Sequence, residues 1–207
     1  MFPQRIETDR LVLERLDESV ELFEFYRICS SDPGIDDVTR YMPWTPHRNL
    51  YETRQFLGGV RENWTKGTEA SYAIRVPASE RDLDRQTDER SETGAFAGVG
   101  SIEIDWSRQL GSLGTWLRKP YWGRGYSGER ADALIELAFD RLDLEIVTVT
   151  HHVDNEKSRC AIEKYVERNG GRREGTLRNW LPYDDHVADE VRYTISYEEW
   201  AEARRDQ

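Results

Sequence analysis

Lysine is scarce. The 207-residue chain carries it only at positions 66, 119, 157 and 164, so nearly all of its positive charge is arginine. Acidic side chains outnumber basic ones 40 to 29, giving a net charge of −11 and a pI near 5.0. That balance repels phosphate backbones and anionic bilayers, so neither nucleic acid nor membrane is expected as a partner. Arg172, Arg173 and Arg178 form the one basic cluster, and three arginines do not make a binding face. An acid-rich, lysine-poor surface is what a very salty cytoplasm requires, and a halophilic source is the expectation.

Cysteine is limited to Cys29 and Cys160, which show no metal or redox spacing. No signal peptide opens the chain, and no apolar run approaches the roughly 20 residues of a membrane span. A cytoplasmic chain with two free thiols is expected. Histidine occurs at 47, 151, 152 and 186. Neighbours on a strand point to opposite faces, so His151 and His152 cannot share an ion, and no metal site is expected.

A length of 207 residues is expected to form one domain, 1–207. Strands are expected at Arg10–Leu16, Ser71–Val76, Gly94–Asp105, Leu110–Leu117, Glu145–His151, Arg172–Trp180 and Val187–Ser196. Helices are expected from Asp17 to the break at Pro33-Gly34, near Asp36–Tyr41, at Leu50–Trp64, at Arg124–Leu142, from Asn155 to about Asn169, and at the C-terminus. In the helix after Arg124, Ala131, Leu134, Ile135, Ala138 and Phe139 recur at three- and four-residue steps, which marks a buried face. The strand at Glu145 follows that helix, so it pairs parallel to an earlier strand through a right-handed crossover. Pro77–Thr93 is polar and acidic without an apolar face and reads as a mobile surface loop.

The stretch Arg118-Lys119-Pro120-Tyr121-Trp122-Gly123-Arg124-Gly125-Tyr126-Ser127-Gly128-Glu129 carries the most chemistry. A small-residue loop enters a long helix, so unpaired N–H groups and the positive end of the helix dipole face one point. Gly123, Gly125, Ser127 and Gly128 keep the backbone bare enough for a pyrophosphate to lie on it. By letter the loop fits the dinucleotide fingerprint GxGxxG, with Asp154 further on. In that fold, however, the strand feeds straight into the first glycine, and here Arg118–Trp122 intervenes. Only 53 residues follow Asp154, too few for the remaining βαβ units. A P-loop fails for want of Gly-Lys-Ser/Thr. The pyrophosphate of coenzyme A survives.

Five motifs occur in order: Ile6-Glu-Thr8-Asp-Arg10-Leu11-Val-Leu13, Gly114-Thr-Trp116-Leu117, Tyr121-Trp122-Gly123-Arg124-Gly125-Tyr126, Asn155-Glu-Lys-Ser158-Arg159 and Arg173-Glu174-Gly175-Thr176-Leu177-Arg178. Across nearly its whole length the chain resembles the GNAT-superfamily N-acetyltransferases, in the branch of the RimJ and RimL ribosomal-protein N-terminal acetyltransferases. The resemblance implies an α/β fold, a mixed and mostly antiparallel sheet of about seven strands flanked by helices, with a splayed central pair. It implies acetyl-CoA as co-substrate, a primary amine as acceptor (a protein N-terminus or a small molecule), direct attack in a ternary complex, and a monomer or homodimer. A non-catalytic acyl-CoA-binding module is the rival reading.

By the same resemblance, Trp116, Leu117 and Arg118 bind pantetheine through backbone groups, Gly123, Arg124, Gly125, Tyr126, Ser127 and Gly128 bind the phosphates, and Asn155 contacts the coenzyme. Ser158 would protonate the departing thiolate, because Ile162 stands where many relatives carry a tyrosine; Tyr165 is an alternative. For both Asn155 and Ser158, helix capping is the competing role. Glu103, on a strand that often supplies an acid to the cleft, is the candidate base. Tyr41, Met42, Trp44 and Trp180 are candidate walls of the acceptor pocket. The chain departs from the family at Glu163–Gly171, where the helix should be about one turn longer than usual.

Overall fold

A computed structural model describes residues 1–77, 94–183 and 186–205. Eight strands form one sheet: β1 (Arg5–Glu7), β2 (Val12–Arg15), β3 (Glu69–Val76), β4 (Ala95–Asp105), β5 (Leu110–Leu117), β6 (Ile146–His152), β7 (Arg172–Pro182) and β8 (Val187–Ser196). Their spatial order is β1-β2-β3-β4-β5-β6-β8-β7, and among the described residues only β5 and β6 pair in parallel. β1 was not expected, because Arg5-Ile6-Glu7 has one apolar residue and no visible alternation. Of the expected loop Pro77–Thr93, all but Pro77 lies outside the described residues.

The helix expected after Asp17 is two: α1 (Leu16–Ser19) and α2 (Leu22–Ser31). The break follows from capping, since the Glu21 carboxylate accepts the N–H groups of Phe23 and Glu24 and so starts a new helix. α3 (Ile35–Thr39) and α4 (Leu50–Lys66) follow. α5 (Tyr126–Glu136) runs on as a wider turn of π type over Leu137–Arg141. α6 (Glu156–Arg168) and α7 (Tyr197–Arg205) complete the chain.

Alternation splits the core between the two faces of the sheet. Ile102, Leu113, Leu117, Val149 and Tyr193 pack with α5, α6 and α7 on one face. Ala73, Phe96, Val99 and Trp116 pack with α2, α3 and α4 on the other. Between them, β5 and β6 pair only over Leu110–Leu113 and Ile146–Val149. Beyond that point β5 stays on β4 through Gly98↔Leu117, while β6 stays on β8 through His152↔Glu190. The two strands therefore part, as the family resemblance implied.

Two features hold the parting. Gly98 sits at φ +155° beside a register shift in β4, and a Cβ there would collide with the Trp116 carbonyl. Beneath the parting lies Arg130 of α5, almost fully buried. Its Cδ would stand 2.6 Å from a Cβ on Gly100, and its Nη1 reaches the Gly114 carbonyl at 3.4 Å. Burial lowers the pKa of this guanidinium from its ordinary value.

Candidate functional site

The loop after β5 makes one 3-10 turn over Lys119–Tyr121 and then enters α5 through two left-handed glycines. Gly123 (φ +74°) and Gly125 (φ +82°) hold conformations that other residues adopt only at a cost. The N–H groups of Gly128 and Glu129 both turn back to the Gly125 carbonyl at 3.1 and 3.2 Å. Those of Gly125, Tyr126 and Ser127 meet no backbone acceptor among the described residues. Nothing lies within 4 Å of a Cβ built on Gly123, so the space over the loop is open. Bare donors, an open floor and a helix of 11 residues fit a pyrophosphate.

A clamp from the chain's beginning fixes this loop. The Glu129 carboxylate accepts from Thr8 Oγ1 (2.6 Å), the Arg10 N–H (2.7 Å) and Arg10 Nε (2.8 Å). Arg10 Nη1 donates to the Arg124 carbonyl (3.1 Å), and its guanidinium lies over the Tyr126 ring. Arg10 Nη2 stands 3.4 Å from a Cβ on Gly125, so a cation flanks the bare donors. Neither Arg10 nor Glu129 was singled out as functional from sequence. Thr8-Asp-Arg10 was visible as a motif, but its partner is 119 residues away. Charge-assisted bonds are each worth about 1.5–3 kcal/mol. Glu129→Gln keeps one acceptor oxygen and loses the charge, so coenzyme affinity should fall about tenfold by titration calorimetry.

The sequence-predicted residues divide by geometry. The Arg118 N–H donates to the Ala97 carbonyl (2.8 Å), which turns it toward β4. Alternation then directs Trp116 toward β4 as well, and Thr115 and Leu117 into the gap. Arg118 is thus corrected as a pantetheine donor. Its guanidinium is also committed, to Asp32 (Nε–Oδ2 3.0 Å, Nη2–Oδ1 2.8 Å) and to the Phe96 carbonyl (2.9 Å). Trp116 contributes its ring to the aromatic cluster with Phe25, Trp44 and Phe96. The Leu117 carbonyl accepts from Trp122 Nε1 at 2.7 Å, and Lys157 Nζ stands 4.5 Å over that indole, so the loop, the strand edge and α6 meet here.

Asn155 caps α6. Its Oδ1 accepts the Ser158 N–H at 3.1 Å, and its own N–H reaches the His152 carbonyl at 2.9 Å. Its amide Nδ2 has no partner among the described residues to compete with a ligand, and the half-buried Ser158 hydroxyl is likewise unclaimed. Tyr165, two turns further along the same face of α6, is fully buried, its hydroxyl pushed up to about 12 by burial while Arg130 opposes the shift.

Glu103 does not join these groups. It is exposed on β4 and pairs with Ser112, level with the closed part of β5 and β6. Trp116 is four residues further on, about 14 Å at strand spacing. Alternation predicts which face a residue takes and says nothing about its level along the strand. Trp180 is 54% exposed on β7. By contrast Tyr41 lies against His152 (ring centroids 5.0 Å) and Trp44 against Trp116 (5.7 Å), both at the gap. Among the described residues no three His, Cys, Asp or Glu side chains are grouped to hold a metal, and no helix is long and apolar enough to cross a membrane.

Comparison with known proteins bears on this geometry. The profile of the acetyltransferase (GNAT) domain matches residues 10–165. An uncharacterized N-acetyltransferase, p20 of Bacillus licheniformis, is 24% identical over 196 residues, covering 94% of this chain and 97% of that protein. YdaF of Bacillus subtilis, whose name provisionally assigns it to ribosomal N-acetylation, is 32% identical over 108 residues, covering 52% of this chain and 57% of its own. The crystal structure of the microcin C7 self-immunity acetyltransferase MccE, in complex with acetyl-CoA and AMP, superposes with a TM-score of 0.76 at 18% identity, over 94% of this chain and 97% of that one.

Proposed function

The chain belongs to the acetyltransferase (GNAT) domain family, and from that premise we propose that it is an acetyl-CoA-dependent N-acetyltransferase acting on a primary amine, by direct attack in a ternary complex. The observation that carries this reading is the parting of β5 and β6 directly beside the bare N-terminus of α5. The partial similarity to YdaF favours a protein α-amine as acceptor over a small molecule.

When bound, acetyl-CoA supplies an activated acetyl thioester. Gly125, Tyr126 and Ser127 hold its pyrophosphate through their N–H groups, with Gly123 and Gly128 leaving room and Arg10 and Arg124 adding positive charge. Thr115 and Leu117 present backbone groups to pantetheine as a missing strand would. The Asn155 amide positions the same arm. Ser158 gives its hydroxyl proton to the departing thiolate and recovers one from solvent. The cytoplasmic placement and the salty cytoplasm read from composition belong to this proposal, so assays are best run at both low and molar KCl.

Thiol release from acetyl-CoA, with Ser-, Ala- and Met-initiated tetrapeptides and the small amines glucosamine and spermidine as acceptors, tests the reading. Turnover of at least one amine is expected. Tight acetyl-CoA binding without any turnover would instead make the chain a binding module. Ser158→Ala should lower turnover about a hundredfold with coenzyme affinity kept, the lower end for general acid catalysis. Were its role confined to the helix start, turnover would stay within a fewfold of wild type.

A further inference from the structure

On β8, Glu190 is a carboxylate out of place. It is only 5% exposed, yet no hydrogen bond or ion pair reaches it among the described residues. The neighbouring cation, Arg192, directs its Nε to Thr148 Oγ1 at 3.0 Å. Its oxygens are not among the fully enclosed polar atoms, so the carboxylate faces solvent from an otherwise buried residue with no protein donor on it. A cationic ligand would find it unengaged.

Its position says which ligand. Glu190 pairs across the strands with His152, so their Cβ atoms lie about 4.5–5.5 Å apart on one face. Counting on from the last β5–β6 pair, Leu113↔Val149, brings His152 level with Trp116 across the gap. The face is the one carrying α2, α3 and α4, since Tyr41 from the end of α3 lies against His152. The phosphate loop belongs to α5 on the opposite face. The carboxylate therefore stands across the gap from the coenzyme side, where the acceptor enters.

Two further groups at this spot are unclaimed. Asp154 N–H donates to His152 Nδ1 (3.1 Å), which leaves the neutral ring's proton on Nε2 as a donor. The Tyr183 hydroxyl is buried without a partner, and its ring lies 6.0 Å from that of His152. Burial, and then the Glu190 charge, push this hydroxyl up to about 12, so it too remains a donor. His186, stacked 4.9 Å from Tyr183, and Tyr41 close the group. One negative charge flanked by two unused donors and aromatic rings matches a cation bonded next to a hydrogen-bond acceptor. An α-ammonium beside its own peptide carbonyl has that pattern.

We propose that Glu190 is the acceptor-binding residue, holding the ammonium of a peptide N-terminus, while His152 and Tyr183 donate to the adjacent carbonyl oxygen. The inference rests on the N-acetyltransferase reading and goes beyond it in naming the acceptor's recognition groups.

Steady-state rates of Glu190→Gln, with the tetrapeptides above, test it. The peptide KM should rise at least thirtyfold, while acetyl-CoA affinity holds and the melting temperature stays level, because the carboxylate makes no hydrogen bond or ion pair within the described residues. Glu190→Asp, which keeps the charge on a shorter arm, should fall between the two. The hydroxy analogue of the best peptide, with the amine replaced by hydroxyl, should inhibit wild type poorly relative to the peptide's own KM, and Glu190→Gln should lose that discrimination. A wild-type peptide KM in Glu190→Gln overturns the assignment and leaves the acetyltransferase reading standing. A lowered melting temperature or lost coenzyme affinity in both variants makes the carboxylate structural and overturns it as well. Wild-type protein that binds acetyl-CoA and turns over no amine overturns both readings together.

Discussion

Replacing Gly125 with glutamate should reduce acetyl-CoA affinity about a thousandfold in a chain that remains folded. The glycine is at φ +82°, so any other residue carries backbone strain, about 1–2 kcal/mol for most side chains. Charge contributes more. A carboxylate there enters the space in front of the Gly125, Tyr126 and Ser127 donors and opposes the pyrophosphate at close range, about 4 kcal/mol at 4 Å and an effective dielectric of 20. It also lies beside Arg10 Nη2 and would take that cation for itself. Gly125→Asn separates the two effects, because asparagine tolerates the left-handed region and brings no charge. It should retain most of the affinity. Titration calorimetry with coenzyme A, with melting curves to confirm folding, reads the result. Unchanged affinity in a folded Gly125→Glu protein would remove the loop from the coenzyme site.

Arg118→Ala should destabilise the protein by about 3–5 kcal/mol, the range for stripping one partner from a buried ion pair. Asp32 would be left as a buried charge, since the pair's side chains are only 9% and 11% exposed. The Phe96 carbonyl would lose its donor too. For a chain of this size the melting temperature should drop by about 10 °C. Asp32→Asn should cost less, because an amide oxygen still accepts from the guanidinium. A double variant, Arg118→Met with Asp32→Leu, should recover part of the loss by removing both charges. Additive losses in the double-variant cycle would mean that the two side chains do not act as a pair.

The sheet, the crossover and the phosphate loop were legible because each rests on local chemistry: alternation, a helical apolar stripe, and glycines before a helix. Arg118 was misjudged because the direction of a backbone donor depends on parity, and parity follows from the β4–β5 register, which composition does not reveal. Glu103 had the right residue type and a polar face but the wrong level. Glu190 was hidden in an alternating strand, Val187–Ser196, where polar residues at even positions imply solvent; burial by the neighbouring strands and loops reverses that meaning. Arg130 falls at a core position, four residues before Leu134, and a charge there was a readable anomaly. Arg10 and Glu129 are bonded across 119 residues, beyond the reach of any local pattern.

That bond has a thermodynamic corollary. A ligand seated on the loop also favours the docked state of the chain's beginning, because Thr8 and Arg10 hold the loop only when β1 and β2 are in place. Saturating ligand at a hundred times its dissociation constant adds about 2.7 kcal/mol to the form that binds it. Amide hydrogens around Thr8–Leu11 should therefore exchange more slowly with coenzyme A present. A protein shortened to begin at Arg10 should bind it weakly while its sheet survives, so the first few residues serve as a reporter of occupancy far along the sequence from the α5 donors that hold the coenzyme.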